Sequence, residues 1–223
     1  MHTDWTLRKG STLFAGIEEE SLRRLCTCLS AYERTYPQDS FVFRAGDEVR
    51  NVYFILSGRV HIVDEDFWGN RTIIETMVAD TLFGEAYVFS GAKSHLVSVM
   101  AAEDSVILEM SPQNLFTTCS KECGCHAKLV RNTLGIVSRK VVRLTEKMGH
   151  IIRRTLREKL LSYLSRCARR EKKKEFEIPY SRQQLADYLC VDRSALSHEL
   201  SRLQREGVLC YNRNQFELLY EEE

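Results

Sequence analysis

Between Asp192 and Gly207 the sequence "RSALSHELSRLQRE" places Leu196, Leu200 and Leu203 on one helical stripe. At about 100° per residue, Ser194, His198, Ser201 and Arg205 fall on the opposite side, with Ser197 and Arg202 on the flanks and Arg193 at the N-terminal end. Small hydroxyl side chains let a helix backbone come close to a partner, hydroxyl and imidazole groups meet base edges, and Arg takes guanine or phosphate. None of these outward residues is acidic, whereas an inert surface helix mixes Glu with Lys. The set therefore predicts a helix that reads double-stranded DNA in the major groove. Arg182, eleven positions before Arg193, and Arg213 in "NRN" are candidates to touch the same duplex.

Other chemistries are poorly provided for. Cysteines stand at Cys26, Cys28, Cys119, Cys123, Cys125, Cys167, Cys190 and Cys210, with no C-x-x-C pair. A zinc ribbon or thioredoxin-like motif does not fit. Only "CSKECGC" is dense; it leaves a zinc, iron–sulfur or thiol-switch role open, beside the simpler reading of reduced thiols packed as small apolar groups. His61 stands without nearby ligands, and there is no G-x-S-x-G, P-loop or paired-His motif, so the expectation is a protein that is not an enzyme.

The elements that must position the polar face can be read around it. Ser181 with Gln184 has capping-box spacing and starts a helix at Arg182 that turns Leu185, Tyr188 and Leu189 inward. "CVD" breaks it, Asp192 caps the next helix, and Gly207 supplies the left-handed residue that ends it. "VLCYNRNQFELLY" alternates around "NRN" as a hairpin wing, so two helices and a wing make a winged helix-turn-helix.

Upstream, Val130, Leu134, Val137, Val141, Leu144, Met148 and Ile151 run 4-3-4-3-4-3 along a helix starting near His126. This stripe of about 32 Å at 1.5 Å per residue is the seam of a two-stranded coiled coil and predicts a homodimer. The register breaks near Arg153–Thr155, a candidate hinge, and restarts with Leu156, Leu160, Leu164 and Cys167 on one face. From about Ser40 to Met110, short period-two segments punctuated by Gly46, Gly58, Gly69, Gly84 and Gly91 predict a rolled antiparallel sheet, with "WGN" at 68–70 as a hairpin tip. The fold class is α+β: an antiparallel, jelly-roll-like β-roll over residues 1–125, a dimerisation helix and hinge over 126–153, and a winged helix-turn-helix over 154–223.

Bulk composition agrees. The chain has 223 residues, 43% hydrophobic and 28% charged, as soluble globular chains do. No segment has the roughly 20 apolar residues of a membrane span, and "MHTDWTLRKGSTLFAG" lacks the apolar run of a secretion signal, so a cytoplasmic location is expected. The net charge of +1 conceals a balance of −7 up to His126 (11 Lys+Arg, 18 Asp+Glu) and +8 beyond it (21 against 13). A basic C-terminal part favours a polyanion.

Taken in order, "RAGDEVRNVYFILSGRVHIV", "LFGEAYVFSG", the long helix and "SRQQLADYLCVDRSALSHELSRLQREGVL" resemble the CRP/FNR family of bacterial transcription regulators over nearly the whole chain. The resemblance implies a homodimer on palindromic operator DNA, an effector pocket in the sheet domain beside the long helices, and recruitment of RNA polymerase. In cyclic-AMP-binding members the phosphate loop has Gly-Glu followed by Arg-Ser. Here Gly84 and Glu85 remain, but His95 and Leu96 fill the second pair. Leu cannot donate to a phosphate and His is mostly neutral near pH 7, so the implied effector is not cyclic AMP. Gly84, Glu85, His95 and Leu96, with Leu144 of the long helix, are the effector-binding candidates. Members reading the best-known half-site carry Arg, Glu and Arg where this chain has Arg193, Ser194 and His198, which implies a different operator. Oxygen-sensing members hold an iron–sulfur cluster and others hold haem. Cys26 and Cys28 diverge by about 200° on a helix, and His95 is the conceivable haem ligand. A redox-, metal- or haem-sensing regulator of the same family, and a nucleotide-binding module without DNA activity, are the alternatives.

Overall fold

The computed structural model describes residues 11–65, 67–68, 71–116 and 124–219. Gly69 and Asn70 of the expected hairpin tip, and Cys119 and Cys123 of "CSKECGC", lie outside them. The chain divides into two compact units, residues 1–138 and 139–223.

In the first unit, helix α1 (Glu19–Cys28) precedes strands β1 (Tyr32–Tyr36), β2 (Phe41–Phe43), β3 (Val52–Ser57), β4 (Arg59–Glu65), β5 (Arg71–Val78) and β6 (Leu82–Phe83). Helix α2 (Glu85–Ser90), strands β7 (Ser98–Ala101) and β8 (Ser105–Met110), helix α3 (Pro112–Phe116) and the long helix α4 (Gly124–Ile151) follow. Two antiparallel sheets form, in orders β1-β8-β3-β6 and β2-β7-β4-β5. The chain passes from the first sheet to the second at Gly58, whose φ is +86° and where an added Cβ would lie 2.7 Å from the Asp104 carbonyl oxygen. Only glycine fits that corner.

Alternation along β3 shows how the sheet builds two cores. Val52 and Phe54 join Leu22, Leu25, Leu108, Met110, Leu115 and Leu129 in a core that helices share. Tyr53 and Ile55 join Phe43, Val60, Phe83, Val99 and Ile107 in a separate core drawn from both sheets. The period of two sends consecutive side chains to opposite faces. Three elements were not anticipated: β1, whose "YERTY" buries only Tyr36, β6, whose two residues are too few to show a period, and α2, whose six are too few for a helical one.

α4 packs on this unit through His126, Leu129, Thr133 and Ile136. Asn132 donates to the carbonyls of Leu13 (2.9 Å) and Ala15 (3.0 Å), and Lys128 to that of Gly16 (2.7 Å). The 4-3 seam lies one position over. Its Leu134 is 60% exposed, Val141 57%, Leu144 60% and Met148 51%.

The second unit holds the end of α4, then α5 (Leu156–Glu171), β9 (Glu175–Glu177), α6 (Arg182–Leu189), α7 (Arg193–Arg205), β10 (Leu209–Asn212) and β11 (Gln215–Leu218), with sheet order β10-β11-β9. Thr155 opens α5 with a complete capping box to Glu158, a "TLRE" signal legible in the sequence but missed. Leu160, Leu164, Leu185, Leu189, Leu196, Leu200, Leu203 and Leu209 are fully buried in one core. The end of α4 is fastened to it: His150 Nδ1 lies 2.8 Å from Ser162 Oγ, Arg166 donates to Glu146 at 2.6 Å, and the Lys147 ammonium sits 5.6 Å from the Tyr188 ring centre.

Candidate nucleic-acid interface

The polar face is built from its caps inward. Ser181 and Gln184 form both halves of the capping box, and α6 ends at Cys190, which takes a left-handed φ of 53°. Asp192 accepts from the backbone of Ser194 (2.8 Å) and Ala195 (2.9 Å), so α7 begins at Arg193. Hydrogen bonds, first among them from the Ser194 hydroxyl, hold the Asp192 carboxyl below its ordinary pKa. Leu196, Leu200 and Leu203 are fully buried, and Gly207 has φ +72° just past the helix.

Arg193, Ser194, His198, Ser201 and Arg205 are exposed and Ser197 is half-buried. The hydroxyls spend their protons on the chain itself: Ser194 on Asp192 (2.5 Å), Ser197 on the Arg193 carbonyl (3.0 Å) and Ser201 on the Ser197 carbonyl (3.0 Å). Their oxygen lone pairs remain as acceptors, suited to the amino groups of adenine or cytosine. No ion pair joins Arg193 or His198 to another described residue.

Arg182, Arg202 and Arg213 are placed differently. Arg182 donates to the Arg213 carbonyl (3.1 Å), and its guanidinium stands 5.0 Å from the Tyr211 ring centre, so it fastens α6 to the wing. Burial pulls its pKa down. Arg213 occupies the two-residue tip between β10 and β11 with φ +54° and is exposed. Arg202 is held between Glu199 (3.2 Å) and Glu206 (3.3 Å). Glu199 is a buried residue that the sequence reading passed over, although its position beside Leu200 on the apolar stripe was legible.

In the first unit, Gly84 has φ +78°, and an added Cβ would lie 2.9 Å from the Tyr53 ring. Glu85 follows it, buried, at the start of α2. His95 is buried and stacked on Phe43 at 3.7 Å between ring centres, with Tyr87 edge-on at 5.0 Å; neither ring nitrogen has a hydrogen-bond partner among the described residues. Burial lowers its pKa, partly opposed by Asp47. A neutral, stacked imidazole is a poor substitute for an arginine that neutralises a phosphate. Leu96 is 77% exposed, and Leu144 belongs to the second unit, exposed on α4.

Cys26 and Cys167 are held as thiols. Burial pushes the Cys26 thiol up to about 12, aided by Glu33, and raises that of Cys167. Cys26 is buried and Cys28 exposed, the divergence their spacing requires. Among the described residues no three His, Cys, Asp or Glu side chains form a group able to hold a metal ion.

A sheet roll, a long helix and a winged helix-turn-helix with a polar outer face define a DNA-binding protein with a separate sensing domain. Comparison with known proteins agrees. A cyclic nucleotide-binding domain matches residues 33–122 and a Crp-like helix-turn-helix domain matches residues 158–223. The chain belongs to the CRP/FNR family and is a DNA-binding transcription regulator. It is similar to the CRP-like protein Clp of Xanthomonas campestris, at 22% identity over 89% of this chain and 86% of that one. It is likewise similar to electron transport regulator A of Shewanella oneidensis, at 25% identity over 75% and 67%. Among solved structures it shares its fold with the c-di-GMP responsive regulator CLP of Xanthomonas campestris (TM-score 0.57, 19% identity, 92% and 100% covered). It also shares it with CprK in complex with OCPA (TM-score 0.63, 16% identity, 90% and 89% covered).

Proposed function

We propose that two copies of this chain, paired along the α4 seam, bind a two-fold symmetric operator in the bacterial cytoplasm and contact RNA polymerase there, without enzymatic activity. The observation that carries the reading is the outward face of α7: capped at Asp192, free of carboxylates and lined with hydroxyl acceptors between Arg193 and Arg205. The exposed seam supports pairing, because a monomer leaves Leu134, Val141, Leu144 and Met148 in water. Paired recognition helices then enter successive major grooves about 34 Å apart.

Residues 1–125 form the effector domain in this reading, 126–153 the dimerisation helix and 154–223 the DNA-binding domain. Arg193, Ser194, Ser197, His198, Ser201 and Arg205 face the bases, and Arg213 faces the backbone. The effector is a small molecule other than cyclic AMP, bound near Gly84, Glu85 and His95. The buried, unpaired His95 imidazole supports an effector that needs no cation at this position. A mobility-shift assay on the upstream region of the protein's own gene, with native mass spectrometry of the purified protein for a retained small molecule, tests both halves. Absence of a shifted band at micromolar protein would remove the DNA half, and a cyclic AMP adduct would remove the effector half.

A further inference from the structure

Arg202 flanks the DNA-facing side of α7, yet it is not presented there. Its Nη2 lies 3.2 Å from Glu199 Oε1 and its Nε 3.3 Å from Glu206 Oε1. Arg157, in the first turn of α5, closes the figure from the other side, with Nη1 2.5 Å from Glu206 and 3.7 Å from Glu199. The four charges alternate in a ring, Arg157, Glu199, Arg202, Glu206, that ties the last turns of the recognition helix to the start of α5.

We propose that Glu199 is a specificity-determining positioning residue, which with Glu206 holds Arg202 off the DNA backbone. This rests on the DNA-binding reading above. Glu199 is 7% exposed and sits on the apolar stripe between Leu196 and Leu203, so its charge is desolvated. Withdrawing Arg202 to a phosphate would leave that carboxylate with only the more distant Arg157, a costly state for a buried ion. Arg202 itself is 46% exposed, placed where an unheld guanidinium could swing outward. Phosphate contacts raise affinity for all sequences alike and carry no sequence information. Restraining Arg202 therefore lowers non-specific binding and leaves the reading by Arg193, Ser194 and His198 intact.

The test is the salt dependence of binding to a random-sequence duplex, followed by fluorescence anisotropy from about 50 to about 200 mM KCl. Wild type, Arg202→Ala, Glu199→Gln, Glu206→Gln and the double variant Glu199→Gln/Arg202→Ala are compared, each checked for folding by thermal melting. Arg202→Ala keeps the wild-type slope, because no phosphate contact is lost. Glu199→Gln steepens the slope of log K against log salt by about 0.9 per protomer, roughly tenfold more loss over this range for a dimer. The double variant returns to the wild-type slope, which a merely structural effect of Glu199→Gln would not produce. Glu206→Gln, at a carboxylate less buried than that of Glu199, shifts the slope in the same direction. A flatter slope for Arg202→Ala, or unchanged slopes for both carboxamide variants, overturns the proposal while DNA binding stands. A wild-type protein whose DNA affinity is independent of salt overturns both.

Discussion

The polar face of α7 divides labour among its residues. Arg193 stands at the capped N-terminus, exposed and without a described ionic partner, while the serines offer acceptors and Arg202 is held aside. Arg193→Ala should cost about 1–3 kcal/mol at the best operator and much less on random DNA. Competition anisotropy reads this directly, and equal losses on both DNAs would show a phosphate contact instead. A second residue-scale effect concerns two buried imidazoles. Burial lowers the pKa of His95, and burial followed by Arg166 lowers that of His150, against an ordinary value of 6.5. The unfolded chain takes up these protons first as pH falls, so their contribution to stability is complete above about pH 6.5 and is lost below it. The melting temperature should therefore drop between about pH 7 and pH 5. His95→Phe, which keeps the ring stacked on Phe43, should flatten that slope; an unchanged slope would mean His95 does not titrate differently on unfolding.

At the scale of elements, caps decide where the helices of the DNA-binding unit begin. Ser181 and Thr155 each complete a capping box, and each fixes an element that the recognition helix leans on. Ser181→Ala should destabilise the protein by about 1 kcal/mol, while Ser181→Gly should cost only a few tenths. Chemical denaturation of the two variants checks the difference, and equal losses would show that the side-chain bond is not what stabilises α6. The ends of α6 and α7 were legible in the sequence because Ser181, Gln184, Asp192 and Gly207 act on their neighbours alone. The long helix and most strands from Val52 to Met110 were legible because apolar residues recur along them. The Glu199 ring and the His150–Ser162 contact were not, since each joins residues of different helices and no local pattern encodes such a meeting. For the same reason the partnerless His95 nitrogens could not be foreseen: the substitution in the loop was readable, but its burial against Phe43 depends on the folded sheet.

At the scale of the whole molecule, α4 presents two stripes one residue apart. His126, Leu129, Thr133 and Ile136 go inward and anchor the helix, while Val130, Leu134, Val137, Val141, Leu144, Met148 and Ile151 keep coiled-coil spacing. Because Val141 and Met148 are more than half exposed within one chain and belong to none of its cores, a charge at either position stays hydrated in the monomer and leaves those cores undisturbed. In a paired seam the same charge meets its own copy across a desolvated interface, where like charges repel and neither can be hydrated. Val141→Glu combined with Met148→Glu should thus yield a monomer with an unchanged far-UV spectrum, measured by sedimentation equilibrium at micromolar concentration. Its affinity for a two-half-site operator should fall by about 100-fold to 10,000-fold, the gain that tethering two binding units provides. Its affinity for a single half-site, measured per protomer, should stay close to that of wild type. A double variant that still sediments as a dimer would place the interface on another surface, and the spacing of the recognition helices would then have to be set by something other than this helix.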